Sequence, residues 1–376
     1  MVKMLTVCTR DADIPEDAVA DVLSQLDFEH ELKANSAGFI TCSYDFIESG
    51  VLKALSDALP FPTVGCTTLT GATCGQSDTM LLSLCVLTSD DCTFSAVASE
   101  GLSTGNLLPP IAAAYKDALK HLPGTPAMVL AFLPMVSELG GEVILEAIDK
   151  AADGIPVFGT LGCDYDIGTY ANTHTFINGV HSRRSVSLLL IHGPLSPRFL
   201  VTSVVENRIQ KQKAVITDSE GSLLKSVNGI SAAEYLVSMG IKSGSGTEVL
   251  STIPFMVDFN DGTQPLARAI YMLTPEGYAV CGASMPKGST LSIGMVEHDD
   301  VLVTAREAME QIRTGGPAEG LIMFPCLARN VALGLDNMAE VRELEATMPE
   351  GIPYHLAYSG GEICPVYQAD GETANR

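Results

Sequence analysis

The run GLIMFPCLARN, residues 320–330, carries apolar Leu321 to Phe324 through Pro325 into Cys326 and then Arg329. A thiol and a guanidinium at the end of a strand-like run stand where ligands bind in open α/β sheets, at a sheet end. Glu362 follows Gly360 and Gly361 further along the chain. One cation and one carboxylate facing a common crevice can hold a zwitterion, guanidinium to carboxylate and carboxylate to ammonium. An Arg329–Glu362 ion pair tying two loops together fits the same residues. Cys326 can act as a nucleophile only if a base or a helix N-terminus lowers its pKa. No histidine stands within a few residues of it, so a base would have to come from elsewhere in the fold.

Other residues invite the same question. Cys66 and Cys163 also follow a Gly or Pro that closes an apolar run, and are expected at a sheet edge. His174 and His181 flank Asn178-Gly179 and fall on one face of an expected hairpin; without a thiol or carboxylate beside them they read as a solvated face. Asp164 and Asp166 in GCDYD suit acid–base or cation work, or the capping of a turn. The glycine-rich segments GCTTLTGATCG and GIKSGSGTE match neither phosphate-loop pattern and read as ordinary loops. No CxxC and no HExxH occurs, so no redox dithiol or zinc site is expected.

The elements that must position these residues follow from composition and pattern. At 376 residues the chain exceeds the ~250–300 at which one core stops growing, so two domains are expected. Apolar residues make up 46% and charged ones 18%, and mean hydropathy is +0.24, which favours layered sheets covered on both faces. A formal charge of −23 repels phosphate backbones and anionic lipid, so neither nucleic acid nor membrane is an expected partner. The N-terminus has no signal-like apolar stretch, and the ten cysteines lie mainly in apolar runs. Free thiols in a cytoplasmic protein follow.

Strand, helix and a Pro-to-Gly return strand recur. AGFITCS leads through FIESGVLKALSDAL to PTVG, and AMVLAFLP through GGEVILEAIDKAA to PVFG. GLIMFPC leads through DNMAEVRELEATMP to GIPYHLAYSGGE in a third, looser copy. These are βαβ-like units. Asn178-Gly179 predicts a hairpin with Ile177 opposite Val180. RFLVTSVV and TMLLSLCVL read as strands. Ser231 and Glu234 form a capping box that opens a helix. The charged break after Val205 sets the expected boundary, with domains over 1–208 and 209–376. The expected class is α/β (α+β): mixed, largely antiparallel sheets with helices packed outside, in αββα layers.

FPCLAR, GGEICP, VNGISAAEYL, PTVGCTT and PVFGTLGCDYD together resemble the FIST family, whose name joins F-box and intracellular signal-transduction proteins. The resemblance covers nearly the whole chain. It departs at Thr160, where the family has Gly, and at DGETANR, where the family's further strand with an Asn and a Thr is expected to be missing or truncated. The resemblance implies a cytoplasmic sensor of small molecules, amino acids or related zwitterions, that acts through a signalling protein partner. It points to ligand contacts from Arg329, Glu362, Cys326, Gly361, Asp164 and Asn228, with no metal and no cofactor. An enzyme on the same scaffold, a hydrolase or transferase with Cys326 as nucleophile, and a protein-binding adaptor stand as alternatives.

Overall fold

The computed structural model describes residues 2–136, 138–165, 170–242, 244–368 and 373–376. The first two units each fold as expected. Strand Asn35–Cys42 lies parallel to Thr63–Thr67, and Met128–Leu133 lies parallel to Val157–Leu161. Each pair sits within its own sheet. The first sheet runs in the order Lys3–Thr9, Leu82–Ser89, Asn35–Cys42, Thr63–Thr67, Thr175–Ile177, Val180–Ser182. The second runs Glu362–Ile363, Val157–Leu161, Met128–Leu133, Ser187–His192, Thr93–Ala98.

The two sheets pack face to face. Phe39, Val64 and Cys85 from one meet Leu130, Phe132 and Leu189 from the other, with Phe39 and Phe132 ring centroids 5.7 Å apart. Helices Pro15–Ser24 and Val51–Ala58 cover the outer face of the first sheet. Leu108–Leu119 and Gly141–Ala152 cover that of the second. Strands buried on both faces have no polar side to alternate, which is why LLSLCVL reads as an unbroken apolar run. The N-terminal half is thus an αββα sandwich.

The C-terminal half holds an eight-stranded sheet running Leu266–Arg268, Phe255–Asp258, Thr290–Ile293, Ala214–Glu220, Leu223–Val227, Ala279–Cys281, Ile270–Leu273, with Ile230–Ser231 beside Leu223–Val227. The capping box forms: Ser231 accepts from the Glu234 backbone N–H, and the Glu234 carboxylate accepts from that of Ser231. The third unit is also real, with Leu321–Met323 parallel to Tyr354–Ala357 and helices Leu327–Leu333 and Ala339–Thr347 between them. Helix His298–Thr314 packs on that unit through Ala305 and Met309.

Several expectations change. RFLVTSVV is not a strand: residues 198–205 run irregularly between the halves and pair with none of the described strands. GCTTLTGATCG is not a plain loop. Gly71–Thr73 and Gln76–Asp78 form a hairpin turning on Cys74 and Gly75, both at positive φ, and its first strand pairs antiparallel with Tyr354–Ala357. The terminal strand is present, because Thr373–Asn375 pairs with Pro365–Tyr367 and supplies a Thr and an Asn. Cys66 and Cys163 do not emerge at an edge; both are buried in the sandwich, and burial raises both thiol pKa values.

The hairpin at Asn178-Gly179 pairs Ile177 with Val180 as expected. Its histidines do share a neighbourhood, with rings 4.9 Å apart, but His174 is buried against the Tyr44 ring rather than solvated. No group of three or more His, Cys, Asp or Glu is placed to hold a metal ion among the described residues. Nor is any described helix long and apolar enough to cross a membrane.

Candidate functional site

Ser359 is the residue that assembles the site. Its backbone N–H donates to Pro325 O (2.9 Å) and its carbonyl accepts from Leu327 N (2.9 Å), which pins the Cys326 turn to the third return strand. Its hydroxyl accepts from Thr160 Oγ1 at 2.6 Å and from Gly361 N at 3.0 Å. The chain then crosses to the other half, where Glu362 stands opposite Thr160 in the second sheet. One fully buried serine therefore fixes Cys326 and Glu362 relative to each other, and Thr160, the departure from the family pattern, is one of its anchors.

Cys326 and Glu362 line a cavity of about 1,230 Å³ between the two halves. The Cys326 thiol and the Glu362 carboxylate are neighbours and act on each other's titration. Burial, then the charge of Glu362, raise the Cys326 pKa well above that of a free thiol, so its resting form is the thiol. Glu362 stands at the cavity wall and is partly open to solvent. Desolvation by the surrounding protein pushes its pKa up to about 7, against the lowering effects of Cys326, its own backbone, Ser359 and Arg329. No cation lies within ion-pair distance of Glu362 among the described residues.

Arg329 also borders the cavity, but its charge is engaged from behind. Its Nε and one terminal nitrogen donate to Glu340 Oε1 at 2.8 and 2.6 Å, and that nitrogen also reaches Thr304 Oγ1 and Val301 O. Tyr358 donates to the other Glu340 oxygen at 2.8 Å. Arg329 and Glu362 thus share a cavity wall without pairing, so the alternative of an ion pair between them falls, and Arg329 pairs with Glu340 instead.

The remaining expected residues stand further off. Gly361 holds the crossing by its backbone, accepting from Leu161 N at 2.8 Å. Asp164 is buried in the sandwich, accepting from the Asn172 backbone N–H at 3.0 Å. Asn228 is exposed on a hairpin turn at φ 51°, its side chain accepting from Val215 N. None of these three lines the cavity. Asp166 lies outside the described residues.

Sequence reasoning missed Arg268 and Tyr271. Arg268 lines the cavity, and Tyr271 is within electrostatic reach of both Cys326 and Glu362. The signal was a lone arginine inside the apolar run PLARAIYML, a charge that a half-buried strand would not carry without cause.

Two family models match this chain, the FIST N domain over residues 36–230 and the FIST C domain over residues 231–365. The chain belongs to the FIST family. FIST domains are associated with sensory roles in signal transduction. No curated protein matches the chain.

Proposed function

We propose that this FIST protein is a small-molecule receptor in a signalling pathway, and that its ligand sits in the cavity between the two halves. One observation carries the reading: Glu362 is a carboxylate with no cation within ion-pair distance among the described residues, at the wall of a large and mostly apolar cavity. A carboxylate placed so is free to take a charge-assisted hydrogen bond from a ligand's ammonium. An amino acid or related zwitterion brings an ammonium for Glu362, while Arg329, neutralised by Glu340, borders the same wall without competing for it. The ten free cysteines support a reducing, cytoplasmic setting, and the signal passes through a protein partner.

Thermal denaturation with a panel of amino acids and their derivatives tests this. A true ligand at ~100 times its dissociation constant stabilises by about 2.7 kcal/mol and raises Tm clearly. Glu362→Gln is expected to remove that rise. A panel without any shift, or a shift indifferent to Glu362→Gln, sinks the receptor site.

The neighbourhood of Cys326 and Glu362 supports a second reading, an enzyme with Cys326 as nucleophile and Glu362, poised near neutral pH, as its base. A covalent adduct on Cys326, found by mass spectrometry after incubation with ester or amide substrates and absent in Cys326→Ser, would favour it. Simple alkylation is a poor discriminator, because Cys74 is exposed and competes for the reagent.

A further inference from the structure

Arg268 makes no ion pair among the described residues. It ends the strand Leu266–Arg268 at an edge of the eight-stranded sheet, beside the aromatic face of Phe259 at 5.6 Å. Its Nε is buried with no hydrogen-bond partner. Among the described residues its guanidinium makes one hydrogen bond, a long one of 3.4 Å to the carbonyl of its own neighbour Ala267. Arg329, Arg208 and Arg376 each have a carboxylate within ion-pair distance; Arg268 has none among the described residues. A guanidinium enclosed without an anion is destabilising, and is retained where something else supplies the anion. Two carboxylates lie within electrostatic reach of Arg268, Glu142 and then Glu362, neither at ion-pair distance, and of these Glu362 lines the cavity with it.

The cavity is also too large for a free amino acid. At about 1,230 Å³ it exceeds the ~300–1,000 Å³ usual for small-molecule pockets. Away from the charges its wall is apolar: Met4, Leu87, Met128, Ile191 and Phe199 line it, and Leu195 and Phe199 come from the irregular segment that crosses between the halves. A ligand that satisfied only Arg268 and Glu362 would leave this wall wet.

We propose that the ligand is a carboxylate with an adjacent N–H donor and a long apolar chain: carboxylate on Arg268, N–H on Glu362, chain along the apolar wall between the halves. This rests on the receptor reading above and names the ligand's class. Both an N-acylated amino acid and an amino acid with a long alkyl side chain meet the description.

The full-length protein is titrated by calorimetry with N-dodecanoylglycine, 2-aminododecanoic acid, shorter N-acylglycines, free leucine and the methyl ester of N-dodecanoylglycine. Affinity is expected to rise by about fourfold per buried methylene. The ester, which lacks the anion, is expected to bind at least about tenfold more weakly. Whichever dodecyl compound binds more tightly identifies the source of the chain. Arg268→Gln and Arg268→Met are expected to lose binding by about tenfold or more while the unliganded Tm stays level or rises, because an unpaired charge has been removed. Should either variant fail to fold, the acid–ester comparison on the unaltered protein still decides. Affinity independent of chain length and of Arg268, with leucine binding as well as the long compounds, overturns this proposal and leaves the receptor reading intact. No binding by any compound overturns both.

Discussion

Glu362 and His355 lie in one short stretch of chain and titrate in opposite senses. Glu362 rises from the ordinary 4.5 to about 7, so the folded protein holds a proton there that the unfolded chain has lost. Between those values stability falls as pH rises. His355 is fully buried, with Nε2 3.1 Å from Thr41 Oγ1 and Nδ1 unpartnered, and burial drops its pKa from 6.5 to about 3. Here the unfolded chain binds the extra proton, so stability is complete above 6.5 and drains as pH falls towards 3. Over pH 4.5–6.5 the two slopes oppose each other. Urea unfolding across that range is expected to show Glu362→Gln losing stability more steeply on acidification than the parent, and His355→Asn gaining it. Parallel profiles for both variants would refute the assignment. Glu340 makes a separate prediction: Glu340→Gln leaves Arg329 buried without its anion and is expected to lose about 3–5 kcal/mol, while the joint change Arg329→Met with Glu340→Leu loses much less. A double-mutant cycle in denaturant reads the difference.

At the level of elements, the repeated Pro-x-x-Gly has a steric cause. Gly65 pairs with Ile40 and Gly159 with Ala131 across their parallel strands. A Cβ on Gly65 would stand 1.8 Å from Ile40 O, and one on Gly159 would stand 1.9 Å from Ala131 O. Backbone cannot yield by that much, so Gly159→Ala is expected to cost about 3 kcal/mol or more, against about 1–2 kcal/mol for Gly154→Ala, where only a positive φ resists. Equal denaturation midpoints for the two would rule this out. Such local rules explain what was readable in advance. Apolar runs with helical stretches between them revealed all three units, Asn178-Gly179 set its hairpin register, and Ser231 with Glu234 marked a helix start. They also explain the failures. RFLVTSVV carries strand-like residues, but pairing needs a free edge, and edges are decided by the assembled sheets. Gly71–Thr73 finds its partner at residues 355–357, a pairing no local window contains. The same holds for the site. Cys326 and Glu362 stood out from their place beside strand ends, whereas Arg268 belongs to a strand delivered from another sheet, and the Glu340 that neutralises Arg329 is on a helix whose facing residues the spacing did not single out.

On the scale of the molecule, the halves are laced rather than merely joined. The N-terminal hairpin Gly71–Thr73 extends the sheet of the third unit, and Glu362–Ile363 returns to extend the second N-terminal sheet. The last two residues close the lacing. Asn375 accepts from the Val157 backbone N–H at 2.9 Å and donates to Asp149 and Ile155 O in the N-terminal half. Arg376, next in the chain, pairs with Asp261 and lies 4.8 Å over Phe259 in the C-terminal half, bordering the cavity. A ligand in that cavity touches both walls and so acts on the same coupling. Asn375→Ala strands a backbone donor and is expected to lose about 1–3 kcal/mol. Arg376→Ala removes a half-exposed pair worth no more than about 1 kcal/mol in stability, yet it cuts the tie between halves. Calorimetry is therefore expected to show one cooperative transition for the parent, a broadened or divided one for Arg376→Ala, and a return to one transition when a cavity ligand is bound. If Arg376→Ala melts with the parent's shape, and ligand moves both proteins alike, then the terminal residues do not couple the halves and the cavity ligand has no such tie to replace.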